Sequence, residues 1–297
     1  MSEMPDEFDE ALYWPSKWSK RYTEDVICAK HYEVAYEETQ ANKRSILSEE
    51  NVGYGEAATE LMDIYGKNLP PDAPWFIFLH GGYWVEYTKD SSAYCAHPLW
   101  KAGIRVCIPD YDIAPNVTMT QIVEQMRTMT KFILRRAVVE GSRGVWICGH
   151  SAGAQLAARL LDENWLKTLN SECRNMFKGL MMISGVYDLM PILNLRDVND
   201  LLKMDEEEAK AQSPINTVTN FKAKELLSPK FKTTVIVAGD ESKAFIQQSE
   251  NYCKILNQSG NEAEYLLLPD HDHFDIVENL RNDSYILTQK FVKEITG

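Results

Sequence analysis

The sequence predicts a doubly wound α/β domain, in which helices cover both faces of a mostly parallel sheet. Two observations predict it: short apolar runs recur along the chain, and segments with helical spacing lie between them. Unbroken apolar runs fit strands that are buried on both faces, as in a parallel sheet. Regular alternation of strands and helices then favours the doubly wound arrangement over separate layers of each kind.

Six apolar runs are predicted as strands, at residues 75–79, 104–108, 145–148, 180–183, 235–238 and 265–268. Four segments with helical spacing are predicted as helices, at residues 119–140, 152–164, 243–259 and 284–295. We therefore place the start of the regular alternation near residue 75.

Two regions stand outside this alternation. Residues 1–50 are polar, with a predicted helix near 24–42, and residues 190–230 contain the acidic run 205–208. Negative charge suits the first turn of a helix, so the run is interpreted as a solvated helix start. We predict a single domain over 1–297, with an N-terminal helical arm of about 1–50 and a cap insertion at about 190–230. Either region could pack over the carboxyl ends of the strands as a cap.

Composition excludes several classes of function. The chain has 297 residues, 44% of them hydrophobic, which fits a globular protein with a sizeable core. A formal net charge of −13 argues against a nucleic-acid groove and against docking on anionic lipid. No run approaches the ~18 apolar residues of a membrane helix, and the acidic N-terminus is unlike a leader peptide. Six scattered cysteines fit free thiols. A cytoplasmic protein is expected.

The run 149–153, Gly-His-Ser-Ala-Gly, lies between a predicted strand and a predicted helix. A serine in this position occupies a tight strand-to-helix turn, and the glycines remove side chains that would collide with the neighbouring elements. The turn presents Ser151 Oγ above the sheet. A chance match is the alternative, but the strand before the run and the helix after it make Ser151 the candidate nucleophile of a serine hydrolase.

A second glycine-rich turn, with the sequence His80-Gly81-Gly82-Tyr83-Trp84, ends the first strand of the alternation. An acyl-transfer site needs preorganised N–H donors about 3 Å from the developing oxyanion. The amides of Gly82 and Tyr83, with that of Ala152 after the nucleophile, are predicted to supply them. His80 is interpreted as a structural residue that bonds within the loop.

Serine also needs an adjacent imidazole to act as a nucleophile at neutral pH. His271 and His273 follow the last predicted strand, where a hydrolase with the chain order Ser, acid, His places its base. Position alone does not choose between them. Acidic neighbours would also fit a metal site, but no further His or Cys cluster completes one, so no metal and no cofactor are expected.

The acid that orients the base is expected after the strand 235–238, where Asp240 and Glu241 are adjacent. Either carboxylate could accept the imidazole N–H and stabilise the imidazolium formed during attack. Neighbouring positions after a strand differ chiefly in direction, so the residues themselves leave both candidates open.

These motifs resemble those of the kynurenine formamidases (arylformamidases), a branch of the esterase- and lipase-like α/β hydrolases. The resemblance depends on His-Gly-Gly-Tyr-Trp at 80–84, Gly-His-Ser-Ala-Gly at 149–153, Ser-Gly-Val-Tyr-Asp-Leu at 184–189 and Asp-His-Phe-Asp at 272–275. The segment 241–249 also matches. The resemblance implies the α/β-hydrolase fold, an enzyme without a cofactor and a homodimer.

The same resemblance assigns roles to residues of this sequence. It implies Ser151 as the nucleophile and His273, rather than His271, as the base. The family usually has an acidic residue, often Asp, directly before the serine that here is Ser242, and this register favours Glu241. The glutamate departs from the commoner residue type, so Asp240 stays an alternative.

The resemblance implies that N-formyl-L-kynurenine is hydrolysed to L-kynurenine and formate in tryptophan catabolism, through a formyl-serine intermediate. The bulky arylamine then needs an apolar wall, which Tyr83, Trp84 and Tyr87 could supply. A broad-specificity carboxylesterase is the first alternative, because the same apparatus cleaves esters. The second is a catalytically inactive hydrolase-fold binding protein, although every part of the apparatus is present here.

Overall fold

The protein is described by a computed structural model, which covers residues 8–218 and 222–297. One sheet of eight strands runs through the described part of the chain. The strands are β1 (Ser48–Gly53), β2 (Leu61–Tyr65), β3 (Trp75–Leu79), β4 (Arg105–Pro109), β5 (Val145–His150), β6 (Phe177–Ile183), β7 (Lys232–Ala238) and β8 (Ala263–Leu268). Their order in the sheet is β1-β2-β4-β3-β5-β6-β7-β8.

The sheet is parallel from β4 to β8, and β1 and β2 extend it with antiparallel pairing. All six predicted strands are present: the first has the predicted bounds, and the ends of the others move by up to three residues. The carboxyl ends of the parallel strands therefore meet at one edge, where ligand sites of open α/β sheets lie.

Twelve α-helices flank the sheet in the described residues. They are α1 (Glu24–Ser45), α2 (Ala96–Lys101), α3 (Met119–Glu140), α4 (Ala152–Ala158), α5 (Glu163–Thr168), α6 (Ser171–Met176), α7 (Arg196–Leu202), α8 (Glu206–Gln212), α9 (Ala223–Leu226), α10 (Lys243–Gln258), α11 (Asp275–Glu278) and α12 (Ile286–Thr296). Short 3₁₀ turns lie between several of them.

The predicted helix at 152–164 is wrong in extent, because two helices occupy this stretch. The first, α4, ends at Ala158, and α5 begins at Glu163. Asp162 caps the second helix by accepting a hydrogen bond from the Trp165 amide at 2.9 Å. A capping aspartate satisfies amides that have no partner within the helix, and so favours a new start at this point.

The hairpin of β1 and β2 was not predicted, because neither strand is an unbroken apolar run. Strand β1 is half exposed and polar, while β2 carries the fully buried Asp63. Lys43 and Lys89 place their ammonium groups 2.9 and 3.3 Å from the Asp63 carboxylate. These two long-range ion pairs compensate the buried charge.

Alternate side chains of β3 enter two separate hydrophobic cores, one on each face of the sheet. Trp75, Ile77 and Leu79 pack into the core that contains α3, and Phe76 and Phe78 pack into the core that contains α12. All five are fully buried. Burial on both faces explains why this strand reads as a continuous apolar run.

The acidic run begins a helix, as its charge predicts. Asp205 caps α8 and accepts the Glu208 amide at 2.8 Å, and the glutamates that follow form its exposed first turn. Within the described ranges, none of the helices is both long enough and apolar enough to cross a membrane.

Candidate active site

The turn after β5 holds Ser151 in a strained conformation, with φ of 55° and ψ of −118°. The flanking glycines permit it, because the backbones of strand and helix touch there. A Cβ on Gly149 would lie 2.1 Å from the Gly153 carbonyl oxygen, and a Cβ on Gly153 would lie 2.1 Å from that of Leu79. Such strain is typical of functional sites, where the surrounding packing maintains it.

The loop after β3 packs directly against this turn. A Cβ on Gly81 would lie 3.1 Å from Ser151 Cβ. Gly82, Tyr83 and Trp84 then have φ of 97°, 46° and 62°, so three successive residues adopt the left-handed region. The Gly82 carbonyl accepts the amides of Val85 and Glu86 at 2.9 and 3.0 Å, which closes the loop. The structure therefore brings the predicted oxyanion loop beside the candidate nucleophile.

His80 is buried and supports this loop from within. Its Nδ1 lies 2.9 Å from the Gly81 carbonyl oxygen, and its ring stacks on Tyr111 at 4.3 Å. The Tyr111 hydroxyl donates to the His80 carbonyl at 3.1 Å. Burial lowers the pKa of His80 to about 4, although the backbone bond partly opposes this. A neutral imidazole held in this way fits the structural role predicted for His80.

His273 faces the same cavity as Ser151 and bonds one of the two candidate acids. Its Nδ1 lies 2.6 Å from Glu241 Oε1, and both side chains are buried. Asp240 instead pairs with Lys20 Nζ at 2.6 Å, and His271 pairs with Asp275 at 3.2 Å. The structure thus brings Ser151, His273 and Glu241 together and directs the two alternatives elsewhere.

His150 also contributes, although its sequence position suggested only a neighbour of the nucleophile. Its Nε2 donates to the His273 carbonyl at 2.8 Å, and the two rings lie 4.6 Å apart. Burial and the nearby His273 hold the pKa of His150 well below its ordinary value. The neutral ring therefore anchors the backbone of the candidate base.

A segment of the N-terminal arm, residues 12–21, holds the loops that carry these groups. Ser242, next to Glu241, donates its hydroxyl to the Leu12 carbonyl at 2.5 Å, and Tyr83 donates to the Tyr13 carbonyl. We call residues 12–21 the strap. No sequence pattern indicated it, because its contacts join residues that lie far apart in the chain.

Arg21 of the strap makes two ion pairs with side chains on the loop and helix that follow His271. Its Nε lies 2.8 Å from Asp272 Oδ2 and its Nη1 lies 2.9 Å from Glu278 Oε2. Ser19 adds a bond of 2.6 Å to Asp272. Burial would raise the pKa of Asp272, but hydrogen bonds from Arg21 and Ser19 outweigh it and hold that pKa well below its ordinary value.

Arg21→Met is expected to lower the free energy of unfolding by about 2 kcal/mol at pH 7. A fully buried pair that loses one partner costs ~3–5 kcal/mol, and the partly exposed Arg21 warrants less. The pKa of Asp272 is depressed in the folded state, so its contribution is complete above the unfolded value of ~3.9 and is lost as pH falls below it. The difference in melting temperature between wild type and variant should therefore stay constant from pH 7 to about pH 5 and become smaller between about pH 4 and pH 3.

Lys20→Met is the matched control, because Lys20 pairs with Asp240 while its side chain stays 76% exposed. We expect at most a small change in its melting temperature at either pH. A melting-temperature loss in Arg21→Met that is the same at pH 3 as at pH 7 would contradict the assignment to Asp272.

The cavity above Ser151 has a volume of about 310 Å³, and its lining includes five Phe, Tyr or Trp side chains. Both regions outside the strand–helix alternation contribute to it: Trp14 and His31 come from the arm, and Val198 from the predicted cap region. Such a cavity accommodates a small aromatic molecule. No motif pointed to His31, because its place in the site depends on how α1 packs.

Two of the three predicted wall residues line this cavity, namely Tyr83 and Tyr87. Trp84 does not, and its expectation as a substrate wall is wrong. Its side chain is fully buried, and its indole N–H donates to Gln155 Oε1 at 3.1 Å beneath the loop. The left-handed backbone at Trp84 directs the ring toward the core.

Over the described ranges 8–218 and 222–297, no group of three or more His, Cys, Asp or Glu side chains is placed to hold a metal ion. The groups that the cavity does present are a strained serine, an imidazole bonded to a carboxylate, and a glycine-rich loop, and these groups suit acid–base and nucleophilic chemistry.

Comparison with known proteins agrees with this geometry. Residues 76–275 match the family model for the alpha/beta hydrolase fold. The kynurenine formamidase of Danio rerio is 36% identical over 287 residues, which cover 96% of this chain and 95% of that protein. The kynurenine formamidase of Drosophila melanogaster is 32% identical over 241 residues, which cover 79% and 77%.

An esterase from Pyrobaculum calidifontis superimposes with a TM-score of 0.71 over 97% of this chain and 98% of its own, at 15% identity. That likeness supports the fold alone. The predicted fold and the predicted resemblance are both confirmed: the chain belongs to the kynurenine formamidases, within the α/β-hydrolase fold family.

Proposed function

We propose that this protein hydrolyses N-formyl-L-kynurenine to L-kynurenine and formate, a step of tryptophan catabolism. The observation that carries the proposal is the alignment of Glu241 and His273 on the cavity that exposes Ser151. The relatives that match nearly the whole chain are named for this activity. Membership of the family supports the choice of substrate, and the residues around the cavity support a serine-hydrolase reaction.

In the first half of the reaction, Ser151 Oγ attacks the formyl carbon while His273 Nε2 takes its proton. Glu241, 2.6 Å from Nδ1, stabilises the imidazolium that forms. The amides of Gly82, Tyr83 and Ala152 are the proposed donors to the oxyanion. The proposed role of these amides rests on the packing of the loop after β3 against the turn that holds Ser151.

The tetrahedral intermediate then collapses as His273 returns its proton to the arylamine nitrogen. The C–N bond breaks, the free arylamine leaves and a formyl ester remains on Ser151 Oγ. Water, deprotonated by the same imidazole, attacks this ester and releases formate. An aromatic amine leaves more readily than an alkyl amine, so the apparatus suits an arylformamide.

The test is turnover of N-formyl-L-kynurenine by the purified protein, followed by the absorbance of kynurenine. We expect kcat/KM for this substrate to exceed that for short p-nitrophenyl esters. Faster ester cleavage with no formamide turnover would favour the carboxylesterase. Failure of a fluorophosphonate to label Ser151 would favour the inactive binding protein.

The remaining features of the proposal follow from the family resemblance and from the path of the chain. We propose that residues 1–297 form a single domain with the arm and the cap as parts of it, and that the protein acts as a cytoplasmic homodimer. Light scattering of the purified protein measures directly whether it is a dimer.

A further inference from the structure

His31 is a buried histidine on the cavity wall that the proposed mechanism does not use. It lies on α1 with 6% of its surface exposed, and its Nδ1 is 2.9 Å from Glu278 Oε1. Its ring contacts the rings of Tyr87 and Phe274, at centroid distances of 5.7 and 5.3 Å. With Nδ1 engaged, Nε2 is the ring nitrogen that remains for a ligand in the cavity.

Glu278 is held as a carboxylate. Burial would raise its pKa, but hydrogen bonds from His31 and Arg21 outweigh it and lower that pKa. A carboxylate that accepts the Nδ1–H of an imidazole fixes the orientation of the ring. Arg21 also bonds Glu278 at 2.9 Å, so the charge of this carboxylate is already compensated. Because Glu278 accepts the Nδ1 proton, an anionic group at Nε2 is bound by the imidazolium form of His31, in which both ring nitrogens donate.

Glu86 brings the opposite charge to the same wall. It lies in the loop after β3, lines the cavity and is an exposed residue. Partial burial and the charge of Glu86 both raise the pKa of the Cys28 thiol. Cys28 precedes His31 by three residues and also lines the cavity, so both share one face of the helix.

We infer that His31 and Glu86 form a subsite for the zwitterionic α-amino acid end of the substrate. His31 Nε2 binds the α-carboxylate, and Glu86 binds the α-ammonium nearer to the mouth. Asp197, from the predicted cap region, adds a second carboxylate to the cavity lining. The inference rests on the proposed function, because the arylamine half of N-formylkynurenine ends in such a group.

Four arylformamides separate the two contacts. N-formyl-L-kynurenine carries both charges, N-formylkynuramine lacks the carboxylate, 4-(2-formamidophenyl)-4-oxobutanoate lacks the ammonium, and 2′-formamidoacetophenone lacks both. All four present the same formamide to Ser151. We expect the wild type to show its lowest KM for the zwitterion and its highest for the acetophenone.

His31→Asn tests the carboxylate contact. The Asn amide stands where Nδ1 was and keeps a donor for Glu278, but it removes Nε2. We expect KM to rise about 10-fold for the two substrates with a carboxylate, as for one lost hydrogen bond to a charged group. KM for the other two should not change. His31→Gln restores a donor near the position of Nε2 and should recover part of the loss.

Glu86→Gln tests the ammonium contact, and its expected pattern is the reverse. KM should rise about 10-fold for the zwitterion and the kynuramine, and stay unchanged for the oxobutanoate and the acetophenone. Glu37→Gln is the control, because Glu37 is an exposed residue of α1 outside the cavity lining. It should alter none of the four KM values.

Equal losses on all four substrates in His31→Asn would overturn the subsite and make His31 a packing residue. Equal wild-type KM values for the four formamides would overturn it as well. Both outcomes leave formamide hydrolysis intact, and so leave the proposed function standing. If the wild type hydrolysed none of the four, the proposed function itself would fail, and the subsite with it.

Discussion

Ser151→Ala is expected to lower kcat for N-formyl-L-kynurenine by about 10⁶-fold, the usual cost of removing the nucleophile of a serine hydrolase. The reason lies in the proposed order of bond making: without Oγ no formyl-enzyme forms, and His273 has no proton to accept. Residual turnover would come from water in a cavity that still offers oxyanion donors.

The same change should leave the fold intact. Ser151 is tied to the sheet by its amide, which donates to the Ile183 carbonyl at 2.9 Å, and alanine keeps that bond. A positive φ strains alanine and serine alike. We therefore expect the melting temperature to change by no more than about 2 °C, as for a substitution that leaves packing in place.

Three measurements check this prediction together: steady-state turnover, the melting temperature, and the intact mass after treatment with a fluorophosphonate. The wild type should gain one adduct and the variant none. Turnover above one hundredth of the wild-type rate in a folded Ser151→Ala variant would assign the nucleophile to another residue.

The central strands and the candidate nucleophile were predictable because both depend on local signals. Strand β3 is buried on both faces, so each of its five residues is apolar. The turn at Ser151 needs glycine at 149 and 153 because strand and helix backbones touch there. In each case the structural constraint acts on adjacent residues and leaves a mark in the sequence.

The contacts of the arm over the cavity were not predictable, because they join residues that lie far apart in the chain and follow no periodic pattern. Arg21 meets Asp272 across 251 residues, and His31 meets Glu278 across 247. In the sequence, Arg21 and His31 lie among other polar residues near the start of α1 and belong to no recognisable motif. Only the packing of α1 beside the loop of His273 turns them into parts of the site.

The candidate acid shows the limit of local reasoning most clearly. Asp240 and Glu241 are neighbours after β7, and both can orient an imidazole. The structure separates them by direction: the Glu241 side chain is fully buried against His273, and Asp240 reaches outward to Lys20. One peptide unit decides which carboxylate enters the core, and no composition rule states that.

Exchanging each carboxylate for its amide should therefore give very different enzymes. Glu241→Gln is expected to lower kcat by about 10⁴-fold, because an amide can hold the imidazole in the wrong tautomer and cannot stabilise the imidazolium. Asp240→Asn should stay within about 2-fold of wild type, since its partner Lys20 is mostly exposed and such pairs contribute little.

Glu241→Asp is the informative third variant, because it keeps the negative charge on a side chain that is shorter by one methylene and so holds the carboxylate farther from His273. Its kcat should lie between wild type and Glu241→Gln, since the carboxylate can still compensate the imidazolium from a longer distance. The measurement is kcat and kcat/KM for the three variants on N-formyl-L-kynurenine at one pH, with melting temperatures beside them. A large loss of kcat in Asp240→Asn together with a small loss in Glu241→Gln would assign the role of the orienting acid to Asp240. The loop after β7 would then have to change conformation during catalysis, so that Asp240 rather than Glu241 faces His273.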